Sequence, residues 1–130
     1  MVKQFCVLYF TTLCVMAVLD VLWLKSVMQH LFKAQAGDIM EFRLVPAALF
    51  YLLYPVGIVL FASNGRADWQ SVLLYGCALG VLCYGTYDLT NLATLRPWTV
   101  RFTAIDIAWG GLVTGLSAVI GWVSTRALLS

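Results

Sequence analysis

The chain has 130 residues, 62% of them hydrophobic and 11% charged, where soluble domains carry about 45–50% apolar and about 25% charged residues. So short a chain has a large surface for its volume and too few polar side chains to cover a water-facing exterior. Its mean hydropathy of +0.91 agrees with that, and its net charge of +2, with no Lys/Arg-rich run, supports neither nucleic-acid binding nor a polybasic lipid anchor.

A helix that crosses a bilayer needs about 20 mostly apolar residues, and four stretches reach that length, roughly 5–27, 44–63, 71–94 and 99–125. The first follows Lys3 and runs from Phe5 to Leu24. It is longer than a signal-peptide core and no small-x-small cleavage site closes it, so it reads as a retained span. Residues 28–43 are polar with a break at Gly37, and Leu31, Phe32, Ile39 and Phe42 among the charges suggest a short interfacial helix. In the second span Pro55 removes the hydrogen bond that would reach the Tyr51 carbonyl, which predicts a kink. An Asn64-Gly65 turn signal separates it from the third span. Pro97, inside the short Leu95–Trp98 connection, makes the third and fourth spans an antiparallel hairpin. Gly76-xxx-Gly80 on one side, with Gly111-xxx-Gly115 and Ser117-xxx-Gly121 on the other, gives the small-residue spacing of close helix packing, within or between chains.

The expected fold is therefore all-α, a four-helix antiparallel bundle forming one membrane domain over residues 1–130. Four short helices enclose little interior, so a homo-oligomer is an admissible state. Cys6, Cys14, Cys77 and Cys83 lie in apolar runs without a CxxC pair, and read as small buried thiols between helices. With four spans, one face (face A) carries Lys3, Arg66 and Arg126; the other (face B) carries Lys25, Lys33, Arg43, Arg96 and Arg101. The positive-inside bias makes face B cytoplasmic.

Three acids, Asp20, Asp88 and Asp106, lie inside the spans, where a carboxylate at a helix centre costs about 2.5–3.5 kcal/mol on insertion scales. Asp20 precedes Lys25 by five residues, while Asp88 and Asp106 each stand nine from Pro97 on opposite arms of the hairpin. At about 1.5 Å rise per residue all three fall in the face-B half of the membrane. Polar and aromatic residues recur beside them at helical spacing: Tyr9, Thr12, Met16 and Trp23 with Asp20; Tyr84, Tyr87 and Asn91 with Asp88; Thr103, Trp109 and Gly110 with Asp106. Such stripes face protein or water, because lipid offers no hydrogen bonds. The expectation is a ligand-binding pocket open toward face B, built on the three acids and Asn91 and walled by Trp23, Trp109, Tyr84 and Tyr87. Grouped carboxylates need protons or a compensating cation, and Arg96, Arg101, Lys25 and Arg43 are long enough to reach inward as internal partners.

Residues Tyr87-Asp88-Leu89-Thr90-Asn91-Leu92-Ala93-Thr94-Leu95, then Trp98 and Asp106-Ile107-Ala108-Trp109-Gly110, resemble a bacterial family of small integral-membrane proteins catalogued only as a domain of unknown function. The likeness covers nearly the whole chain, including Leu19-Asp20-Val21-Leu22-Trp23. It implies a four-helix, multi-pass protein of the bacterial cytoplasmic (inner) membrane and transfers no reaction or cofactor. The small multidrug resistance transporters are similar in length and span number only; they keep one membrane carboxylate, and their motif is absent.

Three functions follow from the acids. The first is binding or transport of a cation, a proton or a small polar ligand. The second is a lipid-modifying enzyme, or a subunit of one, whose pocket admits a headgroup, with a carboxylate pair as acid and base or three acids on a metal. No GxSxG or HExxH motif accompanies it. The third is a structural or assembly protein whose Asp network only fixes packing.

Overall fold

The computed structural model describes residues 2–23, 25–26 and 44–129. Helix α1 spans Val2–Trp23; α2 spans Leu44–Ile58 and continues as a π-helical turn over Val59–Ser63; α3 spans Trp69–Thr94 and α4 spans Val100–Leu129. All four are long and apolar enough to cross a membrane. In lipid a backbone N–H or C=O has no solvent partner, so an apolar chain of this length satisfies its polar groups within helices. The residues of the interfacial helix expected near 28–43 lie outside the described ones.

Local chemistry sets the helix ends. The Asp68 carboxylate accepts from Ser71 N at 2.8 Å and opens α3. The Thr99 hydroxyl accepts from Phe102 N at 3.1 Å and opens α4, each filling an otherwise orphaned first-turn donor. Hydrogen bonds with Ser71 also hold the exposed Asp68 carboxyl below the usual carboxylate range. Pro46 sits in the first turn of α2, where its missing N–H removes no helical bond. Pro55 is carried inside α2, and one turn later the helix widens to π geometry, with Asn64 N donating to Val59 O at 2.8 Å. Gly65, at φ +75°, takes the left-handed turn that follows.

Helix α4 is the centre of the bundle, with α3 on one side and α1 on another. Its buried residues are mostly small: Gly110, Gly111, Gly115, Ser117, Ala118 and Gly121 among them. A Cβ on Gly80 would fall on the Gly110 backbone, one on Gly110 would meet the Tyr84 ring, and one on Gly121 would meet the Thr12 hydroxyl. The small-residue stripes therefore work within the chain, and the Ser117/Gly121 end packs on α1 rather than α3. Lacking a hydrophobic driving force in lipid, helices associate by such close backbone approach and by hydrogen bonds; Tyr54 OH and Thr114 Oγ1 supply one at 2.7 Å between α2 and α4. On the outer face of α3, Thr86, Thr90 and Thr94 each donate to the carbonyl four residues back, which lets a hydroxyl face lipid.

The cysteines depart from expectation. Cys6, Cys14 and Cys83 are exposed and Cys77 is half-buried. A thiol is as compatible with acyl chains as with a helix interface, so an apolar run does not specify which way it points. At face A the 64–68 connection is tied to α4: Trp122 Nε1 donates to Arg66 O at 3.3 Å and Arg126 Nη1 to Ala67 O at 3.2 Å.

Candidate functional site

The hairpin register fixes the height of two acids. Going toward face B, Gly76 packs by Gly115, Gly80 by Gly110, Tyr84 by Gly110, and the Asp88 carboxyl then faces that of Asp106. On α1 the buried stripe is Leu8, Thr12, Met16 and Asp20, one residue per turn, which aims Asp20 at the same end of the bundle. Asp20, Asp88 and Asp106 are 6%, 0% and 4% exposed.

Asp20 is held by two donors from two other helices. Tyr51 OH of α2 donates to Oδ2 at 2.8 Å, and Trp109 Nε1 of α4 to Oδ1 at 3.2 Å. The Trp109 ring in turn stacks on Trp23, with centroids 4.5 Å apart and planes 5° from parallel. Asp20 thus joins α1, α2 and α4 through side chains that are themselves fixed, an arrangement that pre-sets a carboxylate's direction.

Beside these groups lies a cavity of about 530 Å3. Asp20 and Asp106 open onto it, and Trp23, Tyr84, Tyr87 and Trp109 form its wall together with Phe50, Tyr51 and Cys83. Six of the eight residues singled out from the sequence are therefore in the lining. Asp88 lies behind Asp106, between α3 and α4, outside the lining, and neither of its oxygens accepts a hydrogen bond from a described residue. Asn91 is half-buried beside Tyr87, also outside the lining. The lining residues Phe50, Tyr51 and Cys83 are not marked by the sequence pattern.

Among the described residues, none of the expected basic partners reaches inward. Lys25, Arg96 and Arg101 are exposed, and Arg43 lies outside the described residues. A guanidinium or ammonium reaching inward would have to leave solvent, and the tyrosine and indole donors already serve Asp20 without that cost. Nor do the three acids form a metal site: among the described residues no group of three His, Cys, Asp or Glu could hold an ion. The acids divide instead into Asp20, met by neutral donors, and the facing pair Asp88–Asp106. Two carboxyls facing each other away from water need a positive charge between or beside them, supplied by a proton or a cation.

The model of a membrane-protein family of unknown function, described as "Predicted membrane protein (DUF2177)", matches residues 5–123. The chain belongs to this family. No curated protein and no solved structure matches it. The DUF2177 match reaches into all four helices and includes every described residue of the cavity lining, and it assigns no activity to them.

Proposed function

We propose that this DUF2177 protein binds a small positively charged ligand inside the membrane, as a binding or transport protein of the bacterial cytoplasmic membrane with face B toward the cytoplasm. The observation that carries this reading is the cavity lining: two carboxyls from different helices open onto one aromatic chamber, and among the described residues that line it none is basic. Intramembrane acids that are buried, directed by fixed neighbours and met by no cation from the described residues are poised for a ligand's charge or a proton. An enzyme reading has less support, because among the described residues of the lining none pairs a nucleophile with a base.

Native mass spectrometry of the detergent-purified protein tests the proposal. A co-purifying small cation is expected on the wild type and lost from Asp106→Asn, with the variant still inserted and monodisperse. A second reading, packing alone, is favoured by the two donors on Asp20. It predicts instead that Asp20→Asn and Asp106→Asn cost only stability, that no cation is ever retained, and that the thermal melt ignores ions and pH.

A further inference from the structure

The cavity's size and wall chemistry narrow the class of cation; this step rests on the cation-pocket reading. A volume of about 530 Å3 is in the range of sites for small organic molecules, about 300–1,000 Å3, and far exceeds a bare metal ion. A divalent metal would need about six to eight oxygen ligands, and among the described residues no three metal-ligating side chains converge. An anion would meet Asp20 and Asp106 with no basic group among the described residues of the lining. A neutral polar ligand would need several donors and acceptors, while the wall is mainly ring carbon from Trp23, Phe50, Tyr84 and Trp109.

An alkylated ammonium suits all of these surfaces. Its charge is spread over methyl or methylene groups, its hydration is weak, and ring faces attract it by cation–π interaction. The remaining charge is met by Asp20, whose carboxylate is already directed by Tyr51 and Trp109, and by Asp106, which is buried apart from the cavity side it lines. We propose that the pocket's ligand is an organic ammonium ion, seated against the Trp109, Tyr84 and Tyr87 rings with its nitrogen toward Asp20 and Asp106. The same chemistry occurs on soluble amines and on amine-bearing lipid headgroups, and the cavity does not distinguish them.

The test is a titration of intrinsic tryptophan fluorescence, to which Trp23 and Trp109 contribute among the chain's five tryptophans, using the full chain in phosphatidylglycerol nanodiscs. The probes are choline and its uncharged isostere 3,3-dimethylbutan-1-ol, with sodium, potassium and magnesium chlorides alongside. Choline is expected to give a saturable change, at least about tenfold tighter than the isostere, and weakened by about tenfold or more in Asp20→Asn and Asp106→Asn. The isostere comparison is made on the wild-type chain and needs no variant to fold. Equal binding of the isostere overturns the ammonium class, and so does saturable binding of an inorganic cation alone; the latter, if lost in Asp106→Asn, leaves the cation pocket standing. No response to any cation overturns both. Adding phosphatidylethanolamine to the nanodiscs separates the sources: competition with choline assigns a lipid headgroup, and an unchanged choline titration assigns a soluble amine.

Discussion

The backbone-to-backbone approach of Gly80 and Gly110 gives the sharpest stability prediction. A methyl group at Gly80 would lie 2.7 Å from the Gly110 carbonyl carbon and 2.8 Å from Thr114 Cβ, and closer still to the Gly110 oxygen. Those neighbours are backbone and a β-branched Cβ, so no rotamer change relieves the overlap, and α3 and α4 must separate by close to an ångström. A gap of about 0.5–1 Å forfeits a quarter to a half of each contact's dispersion well, and overpacking a rigid site costs about 1–3 kcal/mol. Because the obstacle is main chain, Gly80→Ala belongs at the upper end, about 3 kcal/mol, or roughly two decades in the unfolding equilibrium. The ordinary gain in helix propensity does not offset this, since the reference state in lipid or detergent keeps its helices. Gly57 supplies the control: nothing lies within 4 Å of its added Cβ, so Gly57→Ala should stay within about 0.5 kcal/mol. SDS titration of the micelle-bound protein, followed by tryptophan fluorescence, measures both. The reasoning fails if Gly80→Ala unfolds like wild type, or if Gly57→Ala is equally damaging. If Gly80→Ala only dissociated an oligomer, the glycine contact would instead lie between chains.

The remaining predictions concern single hydrogen bonds. Tyr51→Phe removes the donor on Asp20 Oδ2 and should cost about 1.5–3 kcal/mol in the same SDS titration, while also weakening choline binding. Trp109→Phe keeps a ring against Trp23 but loses the N–H on Asp20 Oδ1; circular dichroism should show the helices intact while the choline response falls several-fold. Thr114→Ala strips Tyr54 of its partner and should destabilise by about 1 kcal/mol. The Asp68 cap gives a pH dependence: its carboxyl is depressed below 3.8 by Ser71, so its contribution is complete above that value and is lost as pH falls through the lower folded-state value. Asp68→Asn, which keeps a capping oxygen, should flatten this acid limb with little loss at neutral pH, whereas Asp68→Ala should be the less stable variant throughout.

Hydropathy and length are enough to place the four helices, because a bilayer dictates both the number of apolar residues and the helical backbone. Counting from Pro97 is enough to put Asp88 level with Asp106, since a short hairpin leaves one register. The second helix is different. Its residues are apolar around the whole circumference, it holds no charge, and it follows a long connection, so neither its rotation nor its depth is encoded in a pattern. Tyr51 and Phe50 are on that helix, which is why the partner of Asp20 was not legible. Cys83 escaped for a related reason: in an apolar run a thiol marks no face. Asn91 was drawn in by its seven-residue spacing from Tyr84, but α3 carries it beyond the cavity wall to the side of Tyr87. The expectation of Lys25, Arg96 and Arg101 as partners follows from charge counting, which does not register that tyrosine and indole donors fill the same role for Asp20 inside a membrane at lower desolvation cost.

Cys83 offers the most direct measurement of the central claim, that the cavity is reachable and negatively charged, because its thiol lines the wall with Asp20 and Asp106. In a chain with Cys6, Cys14 and Cys77 replaced by alanine, the rates of Cys83 modification by a trimethylammonium-bearing and a sulfonate-bearing methanethiosulfonate can be compared in nanodiscs. A unit charge at ~8 Å through an effective dielectric of ~20 is worth ~2 kcal/mol, so the cationic reagent should react at least about tenfold faster, the preference should collapse in Asp20→Asn with Asp106→Asn, and choline should protect the thiol. Equal rates for the two reagents, or a faster anionic one, would contradict an acid-lined chamber.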